Sequence, residues 1–439
     1  MHKESDVKHW ADQAAERVIK EKGNKKQYTV AAGITPSGVV HIGNFREMIT
    51  VDLVSRALES KGKKVRFIYS WDDFDVFRKV PKGMPKQKEL EKELRKPIVD
   101  VFDPYGTEES YARHNEASVE QDVACVDIHP TFIYQAKEYR KGTYAKQIKF
   151  TLDNKEKIIA ALNKYRDEPL GKEWLPVSVF SKKFGTDVVK NLRYDGKWSV
   201  SYELEDGTKE TVNFSKGGNI KLKWRVDWPM RWAFEQVDFE PGGKDHSTVG
   251  GSFDTGKLIV PLWKRDAPTY VMYNFISVKG GAGKMSSSSG EVVTLRDMLD
   301  VYEPEIVRWF FASTRPGAEF AVSFDADVIK YYEDFDRCER VYFGLEKVSE
   351  KERKKQMRIY ELSRIGKISQ TVPFQPGFRH LTMVLQINRL DVQKSIGYFE
   401  KELKSKHDKK RLEVRAECAK NWLEKYAPEE FKFSVREKA

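Results

Sequence analysis

The loop from Thr35 to Asn44 combines residue types that suit a bound phosphate group. Its His41 and Asn44 offer side-chain donors one helical turn apart, and Pro36 stiffens the turn. Three glycines would let backbone and nucleotide approach closely: Gly33, Gly38 and Gly43. Because a helix is predicted directly after the loop, its free N–H groups would also face an anion. The loop therefore predicts a phosphate site, although a capped surface turn with an exposed His41 is an open alternative.

Two apolar runs flank this loop and its helix, at residues 28–32 and 65–69. Strand, loop, helix and strand in that order predict a βαβ unit, whose ligand site lies at the carboxyl ends of its parallel strands. Asp72, Asp73 and Asp75 follow the second run. One or more of these carboxylates would pair with a cationic substrate group, such as the ε-ammonium of lysine. A solvated turn in which Asp73 caps a helix is the alternative.

The middle of the chain, residues 82–220, predicts an inserted domain. Residues 82–95 are rich in Lys and Glu and predict a solvated helix, and residues 143–165 predict another. Further on, polar and apolar residues alternate around Asp195-Gly196 and Asp206-Gly207, dipeptides that favour hairpin turns. We therefore expect this part to be helical first and a β-ribbon later.

The segment Trp224–Trp232, directly after the insert, carries three tryptophans. Aromatic walls with few polar groups line many ligand pockets, but they are equally normal in a protein core, so spacing alone leaves both interpretations open. Residues 242–246 predict a tight turn that presents His246. Residues 270–278 predict a strand whose Tyr273 would point into the same cavity.

Two short motifs occur together in this chain, and the pair is more specific than either alone. His41-Ile-Gly-Asn44 resembles the HIGH signature of the class I aminoacyl-tRNA synthetases, and Lys284-Met-Ser-Ser-Ser288 resembles their second signature at the expected distance downstream. The local variants and their surroundings are similar to those of the class I lysyl-tRNA synthetases over nearly the whole chain. The supporting segments are Tyr69-Ser-Trp-Asp-Asp-Phe-Asp75, Trp224-Arg-Val-Asp-Trp-Pro-Met-Arg-Trp232 and Gly243-Lys-Asp-His246.

This resemblance implies activation of lysine with ATP, which carries Mg²⁺ on its phosphates, and then transfer to tRNA(Lys). The implied catalytic residues are His41, Asn44, Lys284, Ser286 and Ser287. The implied ATP-binding residues are Pro36, Ser37, Gly38, His41, Gly43, Asn44, Lys284, Met285 and Ser287. The implied lysine-binding residues are Gly33, Thr35, Asp73, Trp224, His246 and Tyr273. Two alternatives stay open: a glutamyl-type class I synthetase, and a nucleotidyltransferase with the HIGH motif that acts on a small molecule.

The expected fold class is α/β: a Rossmann-type parallel sheet with an inserted α+β domain, a stem region and a C-terminal all-α domain. The predicted bounds are 1–81 and 221–290 for the two halves of the catalytic domain, 82–220 for the insert, 291–347 for the stem-contact region and 348–439 for a helical tRNA (anticodon)-binding domain. By the resemblance, relatives have a longer C-terminal helical region. Lys409 to Arg411 in the last domain are candidate RNA-facing groups.

The insert departs from the family at its metal sites. The resemblance implies a Cys-rich zinc ribbon, but Ser181-Lys-Lys-Phe184 stands where its first Cys-x-x-Cys would fall. It also implies a mixed Asp/Cys/His site, whose counterparts here are Asp103, Glu108 and His114, with Thr107 in place of a thiolate. Weak metal binding by Asp103, Glu108 and His114 stays an open alternative, but without sulfur ligands no structural zinc is expected in the ribbon. The ribbon would instead be held by its hairpins and by aromatic packing of Trp174, Phe180, Phe184 and Trp198.

Composition bears on partners and location. The net charge of +11 with a pI of about 9.1 fits a polyanionic partner such as tRNA. Three widely spaced cysteines, Cys125, Cys338 and Cys418, predict a reducing compartment and no disulfide framework. No apolar run approaches the roughly 20 residues that span a bilayer. We therefore expect a cytoplasmic protein without a membrane partner, and a monomer.

Overall fold

The chain opens with a helix followed by a βαβ unit. The computed structural model describes residues 8–279 and 292–435. The first elements are α1 (Trp10–Lys22), β1 (Gln27–Ile34), α2 (Ile42–Glu59) and β2 (Lys64–Trp71). β1 and β2 pair in parallel along their full lengths, and most residues of α2 are buried. The predicted βαβ unit is therefore confirmed.

The middle of the chain is helical first and stranded later, as predicted. Its helices and the strand among them are α3 (Gln87–Leu90), α4 (Tyr111–Cys125), β3 (Thr131–Tyr134), α5 (Gln135–Arg140), α6 (Ala145–Asp153) and α7 (Lys155–Asn163). Its later strands are β4 (Val177–Val179), β5 (Lys190–Tyr194), β6 (Ser199–Glu203), β7 (Lys209–Asn213) and β8 (Ile220–Leu222). β5, β6 and β7 form an antiparallel meander, and Gly196 and Gly207 in its turns have φ of 76° and 82°. Both predicted hairpins are confirmed.

Two predicted helices of this region are wrong in extent. Within residues 82–95, α3 covers one turn and continues as a 3-10 helix over Glu91–Glu93, and left-handed residues flank this stretch at Lys86 (φ 52°) and Arg95 (φ 75°). The helix predicted over 143–165 is two helices separated at Asn154, whose side-chain amide donates to the Phe150 carbonyl (2.9 Å). Lys/Glu content and apolar spacing do not report such local breaks.

The rest of the chain returns to the sheet and then becomes helical. The next elements in chain order are α8 (Trp224–Phe234), β9 (Phe239–Gly243), α9 (Ser252–Ile259), β10 (Thr269–Tyr273) and β11 (Ile276–Val278). They are followed by α10 (Leu295–Val301), α11 (Pro304–Ser313), β12 (Phe320–Val322), α12 (Asp327–Tyr342), α13 (Glu350–Ser363), α14 (Phe378–Ile387), α15 (Val392–Tyr398) and α16 (Lys406–Lys425). In residues 8–279 and 292–435, no helix combines the length and the apolar character needed to cross a membrane.

The central sheet has five strands in the order β10-β9-β1-β2-β3, and every neighbouring pair is parallel. Their carboxyl ends therefore meet at one edge, where α/β sheets bind ligands. This confirms the predicted α/β fold class. β3 joins the sheet although it lies within residues 82–220, so the sheet draws one strand from the range predicted as the insert. The domain bounds themselves stay a prediction.

The single strand predicted over residues 270–278 is two strands. β10 pairs with β9, whereas β11 pairs with β12 in a separate two-stranded sheet. Between them, the carbonyls of Asn274 and Phe275 accept hydrogen bonds from the buried guanidinium of Arg46 (2.8 and 3.1 Å). Carbonyls turned toward Arg46 cannot continue a strand ladder, so the chain leaves the first sheet here.

A buried ion-pair cluster joins α16 to α12 and to the start of α11. It consists of Glu303, Asp336, Glu339, Arg411 and Arg415, from the start of α11, from α12 and from α16. Arg411 contacts Glu339 at 2.5 Å and Glu303 at 3.0 Å, with 9% of its side chain exposed. The prediction that Arg411 faces RNA is therefore wrong, because these carboxylates hold it inside the molecule.

Candidate active site

The loop after β1 is held from both of its sides. The Asn44 side chain accepts a hydrogen bond from the backbone N–H of His41 (3.2 Å) at the start of α2. A Cβ on Gly43 would lie 2.9 Å from the His41 ring, so the imidazole in this position requires a glycine there. From α4, the Tyr111 hydroxyl donates to the Ser37 carbonyl (3.2 Å). These contacts fix the loop that the sequence predicted to bind phosphate.

A cavity of about 590 Å³, here called the nucleotide cavity, opens over this loop. Its lining includes Thr35, Ser37, His41, Gly43, Asn44, Gly243, His246 and Tyr273. Pro36 and Gly38 are buried within the loop itself. The other predicted residues, Lys284, Met285, Ser286 and Ser287, lie outside the described residues. The described part of the predicted ATP set therefore comes together at the carboxyl edge of the sheet.

A second, narrower cavity adjoins the first at His246 and is walled by β1, β9 and α8; we call it the side-chain cavity. Its lining includes Gly33, Glu47, Asp72, Trp224, Trp228, Arg231, Trp232, Glu240 and His246. Gly33, Trp224 and His246 had been predicted to contact lysine, and they meet here. Thr35 and Tyr273, from the same predicted set, line the nucleotide cavity instead.

Glu47 is an acid of the side-chain cavity that the sequence analysis missed. One carboxylate oxygen accepts a hydrogen bond from the backbone N–H of Gly33 (3.1 Å), and the other accepts one from the Tyr273 hydroxyl (2.6 Å). Burial raises the pKa of Glu47 to about 8. The available signal was an acidic residue between Phe45 and Met48, in a helix stretch whose other residues are buried.

Asp73, predicted to bind lysine, does not line either cavity. It is buried on the other side of β2, where its carboxylate accepts a hydrogen bond from the backbone N–H of Ala136 (2.7 Å) at α5. Burial raises the pKa of Asp73 to about 7. The structure therefore does not bring Asp73 together with the other predicted lysine-binding residues, because its carboxylate caps α5 instead.

The two neighbouring carboxylates do face the cavities, each with a cationic partner. Asp72 lines the side-chain cavity and forms an ion pair with Arg231 (2.8 Å). Asp75 lines the nucleotide cavity, forms an ion pair with Lys221 and accepts a hydrogen bond from the Thr35 hydroxyl (2.9 Å). The acidic cluster is thus divided among three environments rather than aimed at one ligand.

The tryptophans of α8 form the aromatic wall of the side-chain cavity. Glu240 accepts hydrogen bonds from the indole N–H groups of Trp228 (3.0 Å) and Trp232 (2.6 Å), which sets both rings. Trp224 stacks on Trp228 with ring centroids 5.2 Å apart. Burial lowers the pKa of His246, so its imidazole is neutral near pH 7. Trp228 and Trp232 also belong to a buried core cluster, so these rings serve both as core and as cavity wall.

Comparison with known proteins identifies the family of this chain. Residues 8–366 match the model of a family described as tRNA synthetases class I (K). This chain belongs to that family. The synthetase is 51% identical to the lysine–tRNA ligase of Borreliella burgdorferi over 98% of this chain and 82% of that protein. It is 42% identical to the lysine–tRNA ligase of Thermococcus kodakarensis, over 98% of this chain and 83% of that protein.

Among solved structures, a Mycobacterium tuberculosis methionyl-tRNA synthetase in complex with methionyl-adenylate is 11% identical to this synthetase. It covers 90% of this chain and 89% of its own, with a TM-score of 0.42.

The candidate metal-binding loop of this synthetase is held by hydrogen bonds. The Asp103 carboxylate accepts them from the backbone N–H groups of Tyr105 (3.1 Å), Thr107 (2.7 Å) and Glu108 (2.9 Å). The Thr107 hydroxyl lies 3.0 Å from Nδ1 of His114, whose ring stacks on Tyr105. Among the described residues, no group of three or more His, Cys, Asp and Glu side chains is arranged to hold a metal ion.

The turn that replaces the first Cys-x-x-Cys is also closed by a hydrogen bond. The buried Ser181 hydroxyl accepts it from the backbone N–H of Phe184 (3.2 Å). Phe180 and Trp198 pack in the buried core of the insert, and Trp174 packs beside α7. Phe184 is 49% exposed, so the prediction that it packs in the ribbon is wrong.

We expect this synthetase to fold without zinc. Serine and phenylalanine at positions 181 and 184 cannot supply thiolates, and structural zinc normally needs four ligands. Elemental analysis of the purified protein should find less than one zinc per chain, and a chelator should leave the thermal unfolding temperature unchanged. A stoichiometric zinc whose removal lowers that temperature would contradict this, and Asp103→Ala would then identify the site.

Proposed function

We propose that this synthetase is a lysine–tRNA ligase, which activates lysine with ATP to lysyl-adenylate and transfers the lysyl group to tRNA(Lys). Curated relatives named lysine–tRNA ligase match at least 95% of the chain at 35–51% identity. The observation that carries the proposal is the position of Glu47 and Asp72 on a cavity walled by tryptophans, directly beside the nucleotide cavity.

The side-chain cavity suits a long cationic side chain. Glu47 would form a charge-assisted hydrogen bond with the ε-ammonium, while the Gly33 N–H and the Tyr273 hydroxyl hold its carboxylate in place. The flat faces of Trp224 and Trp228 would pack against the methylene stem. His246, where the two cavities meet, lies near the expected position of the reacting carboxylate of lysine.

Activation needs no nucleophile from the protein. An oxygen of the lysine carboxylate attacks the α-phosphorus of ATP, and the bond to pyrophosphate breaks, so the enzyme supplies position and charge. The side chains of His41 and Asn44 would hold the phosphates. By the family resemblance, Lys284, Ser286 and Ser287 would neutralise the departing pyrophosphate. Mg²⁺ bound through the phosphates would supply further positive charge.

Transfer then uses the same cavities. The terminal ribose hydroxyl of tRNA attacks the lysyl carbonyl carbon and the ester to the tRNA forms. AMP leaves with the bonding electron pair, and the hydroxyl proton passes to its phosphate. The hydroxyl must approach from outside the nucleotide cavity, since the adenylate fills it.

A glutamyl-type enzyme would need a cation for its anionic substrate, and Arg231 does line the side-chain cavity. Its guanidinium is already paired with Asp72 (2.8 Å) and Asp227 (3.2 Å). Two carboxylates on one guanidinium leave no net positive charge for an anion, and Glu47 supplies a carboxyl group that can ionise when a cation binds beside it. The charge balance of the cavity therefore favours lysine over glutamate.

Amino-acid-dependent ATP–pyrophosphate exchange with a panel of amino acids tests the assignment. Lysine should support rapid exchange, and uncharged or anionic amino acids should be slower by about 10⁴-fold, the usual discrimination of a site that leaves a buried charge unpaired. Ornithine and arginine serve as cationic controls for stem length and head-group shape. Faster exchange with glutamate than with lysine would overturn the assignment.

The pH dependence of lysine use should report Glu47. Because burial holds its pKa at about 8 in the empty site, the carboxyl is largely protonated at pH 7 and must lose that proton to pair with the ammonium. We expect kcat/KM for lysine to rise with pH up to about 8 and then level off. Glu47→Gln should remove the rise. A flat profile between about pH 6.5 and 8.5 in the unmodified enzyme would contradict this.

A further inference from the structure

We propose that Arg46 is a positioning residue for ATP, because its guanidinium fixes the wall of the nucleotide cavity that receives the nucleoside. Arg46 lines neither the nucleotide cavity nor the side-chain cavity, so it acts through the backbone that it holds. The inference rests on the proposed function only in the use of ATP, and the identity of the amino acid does not enter it.

The guanidinium of Arg46 is buried and bonded to four backbone carbonyls. One terminal nitrogen donates to the carbonyls of Asn274 (2.8 Å) and Phe275 (3.1 Å). The other donates to those of Arg315 (3.0 Å) and Ala318 (2.6 Å). All four N–H groups of the two terminal nitrogens are therefore used. Lysine has three donors on one atom and cannot reproduce this fork.

Packing alone does not account for an arginine at this position. Arg46 is 2% exposed, and burial lowers its pKa to about 10, so the side chain stays charged at pH 7. An apolar side chain would fill the same space without the free-energy cost of removing a charge from water. The four directed hydrogen bonds are what the arginine adds, and they fix the position of the backbone around it.

The four carbonyls belong to two segments that meet beside α2. Residues 274–276 lead from β10 into β11, and residues 315–318 lead from α11 to β12. The segments also contact each other, because the Asn274 N–H donates to the Pro316 carbonyl (2.9 Å) and β11 pairs with β12. Arg46 therefore ties both segments to α2.

The first of these segments is part of the nucleotide cavity. Asn274, Phe275 and Ile276 line it together with His41 and Asn44. Since His41 and Asn44 would hold the phosphates, the apolar side chains of Phe275 and Ile276 are left for the nucleoside, whose base needs such a surface.

The spacing between the two ends of the cavity is thus set by one helix. Asn44, at the phosphate end, and Arg46, which holds the nucleoside wall, lie two residues apart on α2. Without the guanidinium, the wall would be free to shift relative to the phosphate loop, and ATP would lose the simultaneous fit of its two ends.

Arg46→Lys and Arg46→Met test this in lysine-dependent pyrophosphate exchange. The KM for ATP should rise roughly 10-fold for Arg46→Lys and roughly 100-fold for Arg46→Met, the size of effect that follows a misplacement of about 1 Å. The KM values for lysine and pyrophosphate should change little. The inhibition constant of adenosine against ATP should rise by the same factor as the KM for ATP, whereas that of inorganic tripolyphosphate should stay constant.

Arg56→Lys is the matched control for a merely structural effect. Arg56 lies on the same helix and donates to the carbonyls of Arg364 (2.7 Å) and Asp127 (3.1 Å), away from both cavities. Its substitution should lower the thermal unfolding temperature but leave the KM for ATP unchanged. An equal rise in the KM for ATP in this variant would overturn the inference. Equal weakening of adenosine and tripolyphosphate by Arg46→Lys would overturn it as well.

Amide hydrogen exchange of the unmodified enzyme gives a test that does not depend on the folding of a variant. Adenosine should slow the exchange of amides in residues 274–276 and 315–318 together, because Arg46 joins the two segments. Unchanged amide exchange in residues 274–276 would show that this wall does not meet the nucleoside and would overturn the inference. Adenosine protection without lysine-dependent pyrophosphate exchange would instead overturn the proposed function alone.

Discussion

Glu47→Gln should lower kcat/KM for lysine in pyrophosphate exchange by roughly 10²- to 10⁴-fold. The substitution keeps the size of the side chain and leaves the Gly33 N–H and the Tyr273 hydroxyl with polar partners, but it removes the negative charge. Removing one partner of a buried ion pair costs about 3–5 kcal/mol, and each 1.4 kcal/mol corresponds to about tenfold. The decrease should be seen in kcat/KM measured with lysine as the varied substrate, while the KM for ATP stays close to its original value.

The matched control for this variant is Glu59→Gln, which changes an exposed glutamate at the end of the same helix, α2. Its exchange activity should equal that of the unmodified enzyme. Asp73→Asn tests whether the ε-ammonium pairs with Glu47, as proposed from the cavity, or with Asp73, as the resemblance implied. Asp73 caps α5 outside the cavities, so its substitution should change lysine use little. If Asp73→Asn reduced lysine kcat/KM more than Glu47→Gln at unchanged stability, the placement of the ammonium at Glu47 would be wrong.

Arg415→Ala should reduce the free energy of unfolding by about 3–5 kcal/mol. The Arg415 side chain is fully buried and contacts Glu303 at 2.5 Å and Asp336 at 2.7 Å. Its removal leaves two carboxylates in the interior without their main cationic partner. Urea-induced unfolding, combined with hydrogen exchange of the α16 amides, measures the loss. Lys410→Ala, on the exposed face of α16, is the matched control and should change the urea midpoint little.

The same cluster should weaken in acid. Burial alone would raise the pKa of Glu339, but its ion pair with Arg411 and the hydrogen bond from Gln375 hold that pKa below the ordinary value of 4.5. The stabilisation from Glu339 is therefore present above about pH 4.5 and is lost as the pH falls through the lower, folded-state pKa. Glu339→Gln should remove this part of the acid sensitivity. An equally steep loss of stability below pH 4.5 in that variant would show that other carboxylates control it.

The sequence by itself determined the elements whose chemistry is local. The order of apolar runs, glycines, His41 and Asn44 predicted the βαβ unit. It also placed the loop at the carboxyl edge of a parallel sheet, because the loop that follows the first strand of such a unit starts at that strand's carboxyl end. The Asp-Gly dipeptides predicted both hairpins of the insert, since glycine tolerates the positive φ that their turns require. The two signature motifs identified the family.

Only the tertiary structure decided which acidic groups line the cavities. Asp72, Asp73 and Asp75 are nearly adjacent in sequence, yet Arg231 and Lys221, 159 and 146 residues away, neutralise two of them, while the third caps a helix. The residues around Glu47 indicate an acid in an apolar helix stretch but not its role, because the Gly33 N–H and the Tyr273 hydroxyl that hold it come from β1 and β10. Burial and pairing with distant residues set the charge of a carboxylate, and the adjacent residues in the sequence predict neither.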